Sequence, residues 1–166
     1  MILATTDFES GLTRIAQDSN TIIDLTTYLT TDNEKRYIYD VMGKTLGDLF
    51  IADLVNGVPQ TAKYLTIFNP FHFVEGDTTY SNIGLKEILK YFVYFEYTSS
   101  QTVINQSGGN QGILTEASTP EGLIKKGEII YNRAVDNTTN LQCYLIDNST
   151  DYPDFAGQML DPISPI

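Results

Sequence analysis

Residues 83–97 constrain this chain more than any other stretch. Leu85, Ile88, Leu89, Phe92 and Phe95 recur there at helical spacing and form one face, which Tyr91, Tyr94 and Tyr97 widen. The pattern predicts a helix over 80–98 that is apolar around much of its circumference. Such a helix is either central or shared between core and interface. The sequence then turns polar and glycine-rich through residues 101–112. Val103-Ile104 and Ile113-Leu114 flank the Ser107–Gly112 loop, which predicts a β-hairpin or extended arm over about 101–118. A lone two-stranded hairpin is marginal in water, so the arm is expected to pair with another subunit.

The remaining segments also read mainly as helix. Thr6-Asp7-Phe8-Glu9 matches a capping box, predicting a short helix to about residue 17 that Ser19 and Asn20 interrupt. Ile22, Ile23, Leu25, Tyr28 and Leu29 predict a second short helix. From Thr31-Asp32-Asn33-Glu34 onward, Tyr37, Ile38, Val41, Met42, Leu46, Leu49, Phe50 and Leu54 follow one helical face. Gly43 and Gly47 interrupt that face, and each weakens a helix by up to about 1 kcal/mol relative to Ala. Their tolerance implies close approach of another backbone, and Asn56-Gly57 is read as the helix end.

A short helix follows from Pro59 through Phe68, then an aromatic loop over 71–77. Thr119-Pro120 suits a helix start, and Ile130, Ala134, Leu141 and Leu145 share a stripe of the last long helix. Asp147 to Asp151 breaks it, leaving a proline-bearing tail with Phe155, Met159, Leu160, Ile163 and Ile166 as scattered apolar anchors. The expected fold is mainly α: a helical bundle with a projecting β-hairpin or extended arm and an extended C-terminal tail. One domain is expected over 1–150, with the tail at 151–166 and no internal repeat.

Composition narrows the function. With 166 residues and 42% hydrophobic content the chain can bury a core. The formal net charge is −11 with only 10 Lys+Arg, which argues against a firm grip on nucleic acid. An acidic surface does suit a conduit through which DNA slides without sticking. Eleven Tyr and no Trp favour rings with a polar tip, which suit both cores and partly wet interfaces. The single cysteine, Cys143, allows no intrachain disulfide. The first residues lack the pattern of a signal peptide, and no apolar run reaches membrane-spanning length. These features point to a cytoplasm, or to a particle assembled in one.

Little in the sequence reads as chemistry. Gly43-Lys44-Thr45 lacks the earlier glycine of a phosphate loop and falls inside a helical pattern. His72 is the only histidine, flanked by Phe71 and Phe73, and reads as packing or interface. Asp32, Glu34, Asp40, Asp48 and Asp53 have the chemistry to hold a hard cation, but a solvated acidic helix face is the commoner meaning of such a run. No catalytic, cofactor-binding or metal-binding residue is assigned, and no enzymatic activity is expected.

The segment Glu34-x-x-Tyr37-Ile38-x-x-Val41-Met42-Gly43, followed by Leu46-Gly47-Asp48-Leu49-Phe50, resembles the opening helix of tailed-phage head–tail connector proteins. The aromatic helix through Tyr91-Phe92-Val93-Tyr94, the polar arm and the Ser/Thr-Pro start of the last helix are similar to that group too. The nearest resemblance is to connector-like proteins from phages of Bacteroidetes, crAss-like phages included, over about residues 5–147. It implies a neck or adaptor ring, commonly of twelve subunits, beneath the portal protein. Such a ring extends the DNA channel and docks the next neck or tail component, within a virion assembled in the bacterial host cytoplasm. The contact residues expected on this reading are Val103, Ile104, Ile113 and Leu114 in the arm, and Phe155, Met159, Leu160, Ile163 and Ile166 in the tail. The tail is expected to be dispensable for folding of the helical body. The alternative is a small cytoplasmic regulatory or ligand-binding module with an apolar pocket near Phe68–Phe73.

Overall fold

The structure is a computed structural model that describes residues 1–15, 17–30, 33–108 and 120–163, and their side chains outside residue 30 and residues 101–124. It is mostly helical. A 3₁₀ turn, Thr5–Phe8, precedes α1 (Ser19–Thr30), α2 (Asn33–Met42) and α3 (Lys44–Ala52). A small hairpin of β1 (Leu54–Val55) and β2 (Val58–Pro59) leads into α4 (Ala62–Phe68). A second hairpin, β3 (Phe71–Glu75) and β4 (Thr78–Asn82), leads into the two long helices α5 (Leu85–Gly108) and α6 (Pro120–Asp147).

The core is built around α5, as its composition requires. Leu85, Ile88, Leu89, Phe92 and Val93 are fully buried, and Tyr91, Tyr94 and Tyr97 nearly so. Burying each large apolar side chain contributes about 1.5–3 kcal/mol, so this one helix supplies much of the hydrophobic stabilisation. Helix α6 lies along α5 and contributes Ile130, Ala134, Val135, Leu141 and Leu145. The Tyr37 ring from α2 stacks on Phe92 at 4.5 Å between centroids, with the planes 6° apart. Phe50 of α3 meets Tyr64 and Phe68 of α4 at 5.5 and 6.5 Å.

Five local expectations are corrected. The first helix is only the 3₁₀ turn, closed by Asp7 Oδ2 accepting from the Ala4 N–H at 2.8 Å. Ser19 and Asn20 do not interrupt a helix; they begin α1, whose cap is Asp18, accepting from Asn20 and Thr21. Asn56-Gly57 is the two-residue turn of a hairpin, with φ of 52° and 80° at the two positions, rather than a helix end. The Asn-Gly pair between Val55 and Val58 was the available signal for this. Residues 71–77 form β3 and its turn instead of a loop, and Pro59 lies in β2, outside α4.

The second hairpin is amphipathic. Phe71 pairs with Asn82 and Phe73 with Tyr80. Phe73 stacks on Tyr80 at 5.2 Å, and Phe71 and Phe73 both pack on Tyr144 of α6, at 4.8 and 5.5 Å. The opposite face carries His72, bonded to Ser81 at 2.9 Å, and Val74, which is 68% exposed. The hairpin is stapled to α6 by two asparagines. Asn82 Nδ2 donates to the Asn137 carbonyl at 2.7 Å, and Asn137 Oδ1 accepts from the Ile83 N–H at 3.1 Å.

Candidate interaction surfaces

The contact residues expected from sequence divide between two places. Val103 and Ile104 lie in the last turns of α5, which runs as helix to Gly108. The expected β-hairpin or extended arm is therefore corrected over residues 101–108: the aromatic helix simply continues. The run Thr98-Ser99-Ser100-Gln101-Thr102 reads as a break because its propensities are modest. It is tolerated as helix because Thr98 and Ser100 turn their hydroxyls onto the preceding carbonyls of Tyr94 and Tyr97. Ile113 and Leu114 lie outside the described residues, as does Ile166.

The C-terminal segment, residues 152–163, carries the other expected contacts, and it is seated on the chain's own body. Tyr152 is buried, and its hydroxyl donates to the Lys63 carbonyl at 2.7 Å. Lys63 Nζ donates in turn to the Asp151 carbonyl at 2.7 Å. The Ala156 N–H donates to the Met42 carbonyl at 3.0 Å and the Gln158 N–H to the Asp40 carbonyl at 2.8 Å. Asn132 of α6 holds both backbone groups of Ile163 at 2.8 Å. Phe155 and Leu160 pack partly against the core, while Met159 points away and is 80% exposed. Tyr152 thus packs in the core, although it lies beyond residue 150, where the tail is expected to begin.

These bonds explain a break that the sequence did not show. The periodic face over 37–54 predicts one helix, yet Gly43 stands at φ +81° and divides it into α2 and α3. Helix α2 then ends with carbonyls that need donors. The Tyr39 carbonyl takes the Gly43 N–H at 2.7 Å. The Asp40 and Met42 carbonyls take the C-terminal segment, and Val41 takes the Gln142 side chain at 3.0 Å. A Cβ on Gly43 would stand 2.7 Å from the Ala156 carbonyl carbon, so close backbone approach is the reason for this glycine. Gly47 instead meets the side chains of Tyr39 and Ile38.

A polar knot joins α1, α2 and α5. Glu96 accepts from the Tyr28 hydroxyl and from Arg36 Nη2, and Tyr37 also donates to it. The Arg36 guanidinium lies over the Tyr37 ring at 4.7 Å. Burial, followed by the bonds to Glu96, pushes the Tyr28 and Tyr37 phenols far above their ordinary 10.0. Phenols held this firmly protonated serve as donors, which is a positioning role.

Among the acidic residues weighed as cation ligands, three that are described have protein donors instead. Glu34, only 6% exposed, accepts from the Ile2 and Leu3 N–H groups at 2.8 Å each. Burial pushes its carboxyl above the ordinary 4.5, although both N–H bonds pull the other way. Asp48 bonds Lys44 and Tyr39. Asp53 caps the start of α4 through Gln60 and Thr61 at 2.5–2.8 Å. Asp32 lies outside the described residues. No group of three His, Cys, Asp or Glu with metal-binding geometry occurs among the described residues.

A cavity of about 410 Å³ opens beside the N-terminus, lined by Met1, Ile2, Leu29, Glu34, Lys35, Ile38, Ile51 and Leu54. It is remote in sequence from Phe68–Phe73, whose rings engage Phe50, Tyr144 and one another. No helix among the described residues is long and apolar enough to cross a membrane. Comparison with protein-family models, with curated proteins and with solved structures finds no match to this chain.

Proposed function

We propose that this chain is a structural subunit of a tailed-phage head–tail connector, a helical bundle that joins copies of itself into a ring beneath the portal. On this reading the ring extends the DNA channel and docks the next neck or tail component. The acidic surface keeps DNA mobile in the lumen, and no enzymatic activity is required of the subunit.

The observation that carries the proposal is where apolar side chains remain exposed. Ile23 on α1, Val55 and Val58 on the first hairpin, Val74 on the second, Ile129 and Ile146 on α6, and Met159 near the C-terminus all face solvent. They lie on separate elements instead of lining one pocket. A closed ring needs two different surfaces on each subunit, one for either neighbour, and a third for the axial partner. The alternative of a ligand pocket at Phe68–Phe73 has less support, since Phe68 is buried and Phe71 and Phe73 are engaged by Tyr144.

Native mass measurement at rising protein concentration, alone and with purified portal rings, tests the proposal. Discrete closed rings, or stoichiometric addition to portal rings, are expected. A chain that stays monomeric at high concentration and does not add to portal rings would refute it.

A further inference from the structure

Two backbone carbonyls, of Asp40 and Met42, link the C-terminal segment directly to the shape of the α2–α3 region, and that of Val41 links it through Gln142. In a continuous helix the carbonyls of Asp40, Val41 and Met42 would accept from the N–H groups of Lys44, Thr45 and Leu46. In this structure they accept from Gln158, Gln142 and Ala156. Lys44, Thr45 and Leu46 instead occupy the first turn of α3, where amides have no intrahelical acceptor. Each carbonyl has two lone pairs, but one already engaged gains less from a second donor, so the two sets of donors compete for these carbonyls. Seating of the C-terminal segment and continuity of the helix therefore oppose one another.

We propose that residues 33–52 are a two-state element: broken at Gly43 while residues 155–158 are seated, and continuous through Gly43 when that segment leaves.

Two further observations support this. First, the sequence already encodes the continuous form. Ile38, Met42 and Leu49 fall on one line of a single helix, at spacings of four and seven, yet Leu49 is 47% exposed in the broken form while Ile38 and Met42 are buried. A side chain placed mid-stripe by periodicity is thus left outside by the break. Second, the seat is narrow and depends on glycine from both sides. A Cβ on Gly157 would stand 2.1 Å from the Val41 carbonyl oxygen, and one on Gly43 would meet the Ala156 backbone at 2.7 Å. Gly43 also holds a left-handed φ that a side chain disfavours, whereas in a continuous helix Ala exceeds Gly by about 1 kcal/mol. By linkage, anything that captures residues 155–163 elsewhere favours the continuous helix, and anything that straightens the helix releases the segment. The buried side chains of Leu46 and Phe50 oppose the change and keep the broken form dominant in the isolated chain.

Residue-resolved amide hydrogen exchange on the full chain tests this, comparing the native sequence with Gly157→Val and with Gly43→Ala. Gly157→Val expels the segment from its own side; Gly43→Ala favours the continuous helix and also crowds the Ala156 backbone from the helix side. In both, exchange at Ala156 and Gln158 is expected to accelerate at least about tenfold while exchange at the exposed Lys44 and Thr45 slows at least about tenfold, as open and closed populations invert. Protection of Ile88, Leu89 and Phe92 in α5 reports that the body is still folded. Acceleration at Ala156 and Gln158 with no slowing at Lys44 and Thr45 in either variant overturns the proposal, because the segment would then leave without the helix closing. Loss of α5 protection in both variants overturns it too, since the seat would then be part of the fold and not one of two states. None of these readouts depends on ring assembly.

Discussion

The Gln142 side-chain amide bridges α6 to two separate parts of the chain, donating to the Val41 carbonyl at 3.0 Å and to the Gln158 carbonyl at 2.8 Å. Both N–H groups of one buried amide are thereby used, and the end of α2 is joined to the C-terminal segment through a third element. Replacing it with leucine, Gln142→Leu, keeps the bulk but strands two acceptors. A loss of about 1–3 kcal/mol is expected, read as a lower urea midpoint at unchanged slope.

Tyr152 marks where the C-terminal region stops being an appendage. Its ring is buried beside Tyr144 and its hydroxyl is bonded to Lys63. Tyr152→Ala is expected to cost about 3–5 kcal/mol, the range for deleting a buried aromatic ring. Met159→Ala, at a residue 80% exposed, is expected to change monomer stability by less than about 0.5 kcal/mol. Urea denaturation of the two variants side by side checks the contrast. An equal loss in both would show that the segment beyond Tyr152 is as much core as Tyr152 itself.

The Glu96 knot predicts unequal costs for its members. Glu96→Ala leaves Tyr28, Tyr37 and Arg36 without their common acceptor, and a loss of about 1–3 kcal/mol is expected. Arg36→Ala should cost less than about 1 kcal/mol, because the guanidinium is half exposed and its pairing is screened by water. The phenols give a second readout. Their folded pKa values lie above the unfolded 10.0, so their contribution is full below pH 10.0 and is lost as pH rises through the folded values. In Glu96→Gln the folded values are expected to fall, so ultraviolet titration should show Tyr28 and Tyr37 ionising earlier than in the native chain.

Acid titration separates buried from exposed carboxylates. Burial raises Glu34 above 4.5, so this group favours the fold most when protonated, and its contribution declines as pH rises through its folded value. Asp18 and Asp53 behave in the opposite sense. Bonds from Thr21 and from Thr61, respectively, hold them below 3.8, so they favour the fold at higher pH and lose that effect as pH falls. Carboxyl carbon NMR should place Glu34 above, and both aspartates below, their ordinary values. A Glu34 resonance titrating below 4.5 would show that the Ile2 and Leu3 N–H bonds outweigh burial.

Much of the helical architecture was legible from residues alone. The stripe Leu85, Ile88, Leu89 and Phe92 could be buried only by a central helix, and Ile130, Ala134, Leu141 and Leu145 specified the face of α6 in the same way. Periodicity succeeds there because a long helix repeats the same choice many times. The short hairpins were less legible, since two residues of Leu54–Val55 or five of Phe71–Glu75 offer too few alternations to outweigh a helical neighbour or an aromatic cluster. The continuation of α5 through Val103 and Ile104 was hidden by serines and threonines whose local bonding to carbonyls is invisible in a propensity scale. The expected contacts were legible as apolar residues, but not as surfaces: Phe155 and Leu160 turn partly inward and Met159 outward, on a backbone path that no spacing rule describes.

By itself, then, the order of residues determined most of the long helical segments and which of their faces would be oily, because both follow from repeats a few residues long. Only the tertiary structure decided that α2 stops at Met42, that residues 155–158 complete it, and that Glu34 and Glu96 spend their charge on backbone amides and phenols. Those outcomes depend on donors more than 30 residues away in most cases, and chain-distant hydrogen bonds leave no periodic trace in the sequence.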